Sequence, residues 1–101
     1  MFQVITTIKL RPGMIEDCLA LFRNTNPDLV ADQKDWIGAE FLADREADTV
    51  IVVARWQQAE SYRRYAESDK FRKAMKEFGQ FFEAPPEVRI AERLWRMGDI
   101  A

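Results

Sequence analysis

The stretch Thr49–Trp56, with the sequence TVIVVARW, is the clearest strand in the chain. Its four consecutive β-branched residues, 50–53, favour an extended backbone because branched side chains pack well on a pleated surface. Successive side chains of a strand point to opposite faces of its sheet. One face here carries Val50, Val52, Ala54 and Trp56, and the other carries Ile51 and Val53. Both faces of this strand are therefore apolar, and both need to be covered.

Three further strands are predicted on either side of this one. Phe2–Leu10 is rich in Val, Ile and Thr and ends at the turn signal Arg11-Pro12-Gly13. Trp36–Ala43 predicts a strand that joins TVIVVARW through a polar, acidic turn at residues 44–48. Val88–Trp95 predicts the last strand. Its expected alternation puts Val88, Ile90 and Leu94 on one side and Ala91 and Trp95 on the other.

Two helical stretches separate these strands. The first begins at Met14 and has apolar residues at helical spacing in one continuous phase. We expect Asn26-Pro27 to kink it or to restart it with Asn26 as the cap, because proline lacks an amide donor. The second stretch begins as a short helix over 57–67, and Ser68 is a good N-cap for the segment that follows. That segment carries an apolar stripe, Phe71, Met75, Phe78 and Phe82, and ends at Ala84-Pro85-Pro86.

The order of elements is therefore βαββαβ, an α+β, ferredoxin-like arrangement with a four-stranded antiparallel sheet. A length of 101 residues supports one domain spanning 1–101. Both helical stretches lie on one face of such a sheet, so the second apolar face stays uncovered. We expect a second copy of the chain to cover it, giving a homodimer through sheet-on-sheet packing. A different partner protein, or a monomer with scattered exposed apolar side chains, remains open.

The composition excludes several classes of function. With 15 basic and 17 acidic residues the net charge is -2, which argues against a nucleic-acid module. The chain has no histidine, so Ser-His-Asp and Cys-His nucleophile pairs and His-ligated metal or haem are excluded. The single cysteine rules out an intrachain disulfide and a Cys-rich zinc site. No signal peptide or membrane-spanning run is evident, so we expect a cytoplasmic protein that does not bind a membrane. Metal sites made of carboxylates alone remain possible, but no EF-hand-like acidic loop is present, and we expect no metal.

Four segments of the chain, in this order and spacing, resemble the antibiotic biosynthesis monooxygenase domain family of dimeric α/β-barrel proteins. The resemblance covers about residues 2–95. The segments are Arg11-Pro12-Gly13, Trp36-Ile37-Gly38, the strand 50–56 continuing into QQAESY, and Tyr65-Ala66-Glu67-Ser68-Asp69-Lys70-Phe71. The resemblance implies a dimeric α/β barrel and an oxidoreductase, a monooxygenase that oxidises an aromatic or quinol-like small molecule. It also implies that no metal, flavin or other cofactor is used.

The haem-degrading branch of that family uses an Asn, a Trp and an axial His. The matching positions here are Thr6, Tyr65 and Met75, and all three differ in kind. A thioether as the sole protein ligand is a poor substitute for imidazole. The resemblance therefore disfavours haem degradation.

The cofactor-free branch surrounds an aromatic substrate with a Trp, an Asn, a Tyr and an Arg. The matching positions are Tyr65, Ser61, Phe71 and Arg89, of which only the arginine is retained in kind. The resemblance therefore makes Tyr65, Ser61 and Arg89 the candidate catalytic residues.

Oxygenation without a cofactor needs an apolar cavity, an acceptor for the substrate proton and a cation near the developing oxyanion. Tyr62, Tyr65 or Ser61 could orient a phenol, and Arg72 or Arg89 could stabilise its anion. The expected cavity walls are Phe22, Tyr65, Phe71, Met75 and Phe78, although the stripe on the last helix is equally what a plain core requires.

Two other functions are compatible with the same fold. One is a non-catalytic protein that binds a small hydrophobic ligand. The other is an isomerase or decarboxylase, which needs a buried carboxylate, Glu40 or Glu92, facing the cavity. The sequence does not name the substrate or the base.

Overall fold

The computed structural model describes residues 1–98 and has the expected βαββαβ order, which confirms the α+β, ferredoxin-like fold. The predicted domain 1–101 extends over residues 99–101, which lie outside the described residues. The strands are β1 (Phe2–Lys9), β2 (Trp36–Asp44), β3 (Thr49–Trp56) and β4 (Glu87–Glu92). The helices are α1 (Ile15–Val30), α2 (Ala59–Ala66) and α3 (Asp69–Phe78), and α3 continues into a 3-10 turn, Gly79–Phe81.

The four strands form one antiparallel sheet in the order β2-β3-β1-β4. In this register Val4 lies opposite Ala54 on β3 and opposite Ile90 on β4. Residues directly opposite one another in an antiparallel pair project from the same side of the sheet. We call the side that carries these three residues and faces the helices the helix face. The opposite side, the open face, carries Gln3, Ile5, Leu42, Ile51, Val53, Arg55, Arg89 and Ala91.

The core fills the space between the helix face and the helices. On β3, Val50 is 5% exposed and Trp56 is 1% exposed, as the alternation in TVIVVARW predicts. Their neighbour Ile51, on the open face, is only half-buried. The buried apolar residues from the sheet are Val4, Ile8, Val50 and Trp56, and those from the helices are Ile15, Cys18, Phe22, Leu29, Tyr65, Ala74 and Phe78.

The boundary between α2 and α3 is fixed by Ser68, which confirms the predicted N-cap. Its hydroxyl accepts a hydrogen bond from the Phe71 amide at 3.2 Å and donates one to the Tyr65 carbonyl at 2.7 Å. One side chain therefore closes the end of α2 and starts α3.

The predicted restart of the first helix at Asn26 is wrong. α1 runs without interruption from Ile15 to Val30 with Pro27 inside it. Proline removes one helical hydrogen bond, to the carbonyl of residue 23, and the helix ends within one turn after it. Leu29, in that last turn, is 5% exposed, so its burial holds the turn in place.

The predicted extent of the last strand is also wrong. β4 ends at Glu92, so Leu94 and Trp95 lie beyond it and do not continue its alternation. The strand ends there because Glu92 pairs with Phe2, the first residue of β1, so β1 offers no partner to the residues that follow. Only the Arg93 amide finds one further bond, to the Met1 carbonyl at 3.0 Å.

The open face is not covered by any helix within residues 1–98. Leu42 on this face is 46% exposed, and the segment after β4 exposes Leu94, Trp95 and Met97 still more. A groove of about 570 Å³ separates that segment from the sheet. Nowhere in the described part of the chain is a helix long and apolar enough to traverse a bilayer.

Candidate functional site

A partly open cavity of about 1,120 Å³ lies between the helix face of the sheet and the three helices. Its volume is slightly above the range of about 300–1,000 Å³ that is usual for small-molecule sites. Its walls come from α1, from all four strands and from α2 and α3. Among residues 1–98, nine aromatic side chains line it: Phe22, Trp36, Phe41, Trp56, Tyr62, Tyr65, Phe71, Phe78 and Phe82.

The aromatic rings hold one another in place around the cavity. The centroid of Tyr65 lies 5.0 Å from that of Phe71 and 5.3 Å from that of Trp56. On the α1 side, Phe22 lies 4.8 Å from Phe78 and 5.3 Å from Phe41. These tilted and edge-on contacts are the favourable arrangements for aromatic pairs. The cavity therefore presents rigid ring faces, suited to an aromatic ligand.

The two tyrosines of the cavity are neutral at ordinary pH. Burial raises the pKa of Tyr65 to about 12, with smaller contributions from the charges of Tyr62 and Asp32. Burial also raises the pKa of Tyr62 above its usual 10.0. A phenol with such a pKa donates a hydrogen bond but does not act as a base near neutral pH.

Arg23 is the one formally charged residue among those that line the cavity in the described chain. It makes no salt bridge within residues 1–98. Thr6, Asn26 and Gln33 are neutral polar residues of the same lining. The cavity therefore combines a broad apolar surface with one positive group and a few hydrogen-bonding groups.

Ser61 belongs to a polar cluster beside the cavity. Its hydroxyl donates to the Asp35 carboxylate, and Arg64 Nη2 donates to the Ser61 hydroxyl at 3.3 Å. The Asp35 carbonyl accepts a hydrogen bond from the Gln57 amide at 2.8 Å. The cluster thus ties the start of β2 to the start of α2. The residues that follow Asp35 and Ser61 in sequence, Trp36 and Tyr62, both line the cavity.

The structure brings six of the nine predicted site residues together at the cavity wall. These are Phe22, Tyr62, Tyr65, Phe71, Met75 and Phe78. Ser61, Arg72 and Arg89 do not line it. Arg72 is exposed on α3, since the apolar stripe of that helix turns its neighbours inward instead. Arg89 lies opposite Ile5 and is therefore on the open face, separated from the cavity by the sheet.

The carboxylates proposed for an isomerase or decarboxylase also lie away from the cavity. Glu40 lies opposite Val53, on the open face, and both Glu40 and Glu92 line the groove on that side. Within residues 1–98 no carboxylate lines the cavity, and no group of three or more potential metal-ligating side chains forms.

Sequence reasoning missed Arg23 and did not give Trp36 a place in the site. Arg23 is one helical position from buried Phe22, and nothing in its neighbourhood distinguishes it from a solvated arginine. Gln33 did carry a signal, because it lies in phase with the apolar series of the first helix.

Comparison with known proteins identifies the family. The family model described as antibiotic biosynthesis monooxygenase matches residues 1–77. The chain is 29% identical over 83 residues to a heme-degrading monooxygenase of Listeria welshimeri, which covers 73% of this chain and 69% of the relative.

Two solved structures are similar in fold. The cofactor-independent oxygenase SnoaB of Streptomyces nogalater, solved as a point mutant, gives a TM-score of 0.80 at 14% identity and covers 97% of each chain. A monooxygenase of Streptomyces coelicolor, in complex with the ligand nanaomycin D, gives a TM-score of 0.79 at 16% identity. It covers 97% of this chain and 92% of the other. The match to the family model spans well over half of the residues, and the chain therefore belongs to the antibiotic biosynthesis monooxygenase family.

Proposed function

We propose that this protein is a cofactor-independent monooxygenase that oxidises an aromatic or quinol-like small molecule in the cavity between helices and sheet. The observation that carries the proposal is the cavity of about 1,120 Å³, which is lined by nine aromatic residues from the described part of the chain. Membership of a family with monooxygenase-named relatives supports the type of reaction. The substrate is proposed only as a class.

Such a reaction draws all of its electrons from the substrate. An electron-rich phenol or quinol loses a proton, and its anion reacts with O₂. One oxygen atom enters the product and the other leaves as water. The protein has to hold the ring, keep bulk water away and stabilise the negative charge on the ring oxygen. The aromatic walls meet the first two needs, and Tyr62 and Tyr65 can donate hydrogen bonds to that oxygen as neutral phenols.

The way in which the substrate loses its proton restricts which compounds the protein can oxidise. No carboxylate lines the cavity within the described residues, and the tyrosine pKa values are too high for either phenol to act as a base. A substrate that already ionises in water needs no base from the protein. The proposed substrate is therefore an acidic phenol or a related ring compound that binds as its anion.

Haem is a poor fit to the residues of this cavity, although relatives are named as heme-degrading monooxygenases. The chain contains no histidine to bind the iron. Met75 lines the cavity and supplies a thioether, and the raised pKa of Tyr65 disfavours its tyrosinate form. Cys18 is 0% exposed in the core and does not reach the cavity. No step of the proposed reaction passes through haem.

A homodimer formed through the open face is part of the proposal, and so is a cytoplasmic location. The open face carries the half-buried Ile51 and Val53 beside the exposed Leu42, next to the exposed segment 94–97. Val53→Lys places a charge at the centre of this face, and we expect it to halve the mass found by sedimentation. A wild-type protein that sediments with the mass of one chain would contradict the dimer.

The oxygenase activity is tested by O₂ consumption with naphthols and hydroquinones in the presence of a chelator, at a pH near the pKa of each compound so that its anion is present. Ala54 lines the cavity and Ala20 is exposed on α1, so Ala54→Phe and Ala20→Phe form a matched pair. We expect Ala54→Phe to reduce consumption to the uncatalysed rate and Ala20→Phe to leave it unchanged. Equal rates in both variants would place the reaction outside the cavity.

A non-catalytic ligand-binding protein is the second candidate. The absence of a carboxylate base from the described cavity lining favours it. Stoichiometric binding of the same ring compounds, blocked by Ala54→Phe but without O₂ consumption, would select this function over the oxygenase.

A further inference from the structure

We propose that Arg23 and Asn26 form an anion-binding subsite in the wall of the cavity. The ligand class is then a hydrophobic ring system with a single anionic oxygen group, either a carboxylate or a phenolate. This inference rests on the proposed occupancy of the cavity and specifies the charge of the occupant.

The first argument is the charge of the cavity. Of the residues that line it in the described chain, Arg23 alone carries a formal charge. A neutral oxygen can accept a hydrogen bond from a guanidinium, but an anionic oxygen adds the attraction between opposite charges and therefore binds more strongly. One positive group in a cavity whose other walls are mostly apolar and aromatic therefore favours a ligand with one anionic group on an apolar body.

The second argument is the absence of a competing partner for Arg23 within residues 1–98. No carboxylate lies within 4.0 Å of its guanidinium. Asp32, just after the same helix, is paired with Lys70 of α3, and the Asp28 carboxylate forms no salt bridge within residues 1–98. Lys70 Nζ donates to the Asp28 carbonyl at 2.6 Å and lies 3.9 Å from Asp32 Oδ1. Arg23 is thus available to a ligand.

The third argument is the placement of Asn26. Residues three apart on a helix lie on the same face, so Asn26 is a neighbour of Arg23, and both line the cavity. Asn26 is half-buried and Arg23 is exposed, which puts the charged group toward the rim and the amide deeper inside. An anionic group held by both residues leaves the ring directed at the aromatic walls.

The position of Arg23 also supplies the positive group that the proposed reaction needs to stabilise the substrate anion. A ligand that arrives as an anion needs no protein base, and the cavity contains none in the described residues. The predicted anion-stabilising residues Arg72 and Arg89 lie elsewhere. Arg23 takes over that role, with the two neutral tyrosines as additional hydrogen-bond donors.

The test compares ligands that share one ring system and differ in charge. The probes are 2-naphthoate, its neutral amide 2-naphthamide, and 2-naphthol titrated through its own ionisation. Binding is measured by calorimetry on the wild type, Arg23→Gln, Arg23→Lys and the charge-matched control Lys73→Gln. Lys73 is exposed on α3 and does not line the cavity.

We expect the wild type to bind 2-naphthoate more tightly than 2-naphthamide. Arg23→Gln should weaken 2-naphthoate about fivefold, the order of a charged pair at a solvated rim, and should weaken 2-naphthamide clearly less. Arg23→Lys should restore part of the affinity, and Lys73→Gln should have no effect. Tighter binding of 2-naphthol after it ionises would identify phenolate as the group, and a preference for carboxylate alone would identify that group instead.

Two outcomes separate this inference from the proposed function. If 2-naphthoate and 2-naphthamide bind equally well, or if Arg23→Gln weakens both to the same extent, the anion subsite is refuted while the aromatic cavity stands. If neither compound binds the wild type, the proposed function fails with it. Circular dichroism of each variant identifies any loss of affinity that comes from unfolding.

Discussion

Removal of the Ser61 hydroxyl should destabilise the protein because it leaves the Asp35 carboxylate without its hydrogen bond. Ser61 is 8% exposed and Asp35 is half-buried, so water replaces the lost contact only in part. A hydrogen bond to a charged group contributes about 1.5–3 kcal/mol. The contact from the exposed Arg64, at 3.3 Å, adds little. We expect Ser61→Ala to lower the free energy of unfolding by about 2 kcal/mol.

The assay is urea unfolding followed by tryptophan fluorescence, together with a thermal scan. For a domain of this size about 2 kcal/mol corresponds to a fall in Tm of about 8–16 °C. Asp35→Ala and the double variant complete a double-mutant cycle, in which contacting residues show a coupling of about 0.5–3 kcal/mol. Ser61→Thr keeps the hydroxyl and is the matched control.

A coupling energy near zero between Ser61 and Asp35 would refute this account of the cluster. The same variant distinguishes a structural residue from a catalytic one. If Ser61→Ala keeps its stability but loses O₂ consumption, the hydroxyl acts on the substrate as the sequence resemblance implies. If stability falls and the remaining folded protein turns over normally, the role of Ser61 is to hold α2 against β2.

Three further predictions concern stability. Burial raises the pKa of the Cys18 thiol from 9.0 to about 11, so the unfolded chain loses this proton at lower pH than the folded one. Stability should therefore fall by about 2 kcal/mol as the pH rises from 9 to 11, and Cys18→Ala should flatten that part of a urea-midpoint profile. Ser68→Ala removes the acceptor for the Phe71 amide and should cost about 1 kcal/mol in the same assay; a smaller loss from Ser68→Asn would confirm the cap. Phe78 is 3% exposed and packs edge-on against Phe22, so Phe78→Ala should cost about 3 kcal/mol, and a loss below 1 kcal/mol would contradict its place in the core.

The fold was predictable because local patterns and tertiary packing agree along most of the chain. The β-branched run in β3 fixed both its extent and its faces, and Ser68 marked the start of α3. The predicted restart at Asn26 failed because the local rule considers only the hydrogen bond that Pro27 removes. Burial of Leu29 two residues later outweighs that loss. This packing depends on other parts of the chain and cannot be predicted from the proline alone.

The site was predictable where it is apolar and not where it is charged. The stripe through Phe71, Met75 and Phe78 faces the cavity because helical spacing alone decides which residues face inward. For Arg89, the alternation that turns Val88 toward the helices already places the arginine on the open face, and this outweighs the resemblance. Arg23 had no local signal, since its importance depends on the lack of other charges in a cavity built from distant segments.

The alternation of β3 has a consequence for how the two sides of the sheet can be altered. Residues 52 and 54 border the cavity, while residues 51 and 53, one peptide away, belong to the open face. A substitution at an even position changes the lining of the cavity and leaves the composition of the open face as it is, and a substitution at an odd position does the reverse. Inner and outer surfaces can thus be varied separately within a segment of four residues.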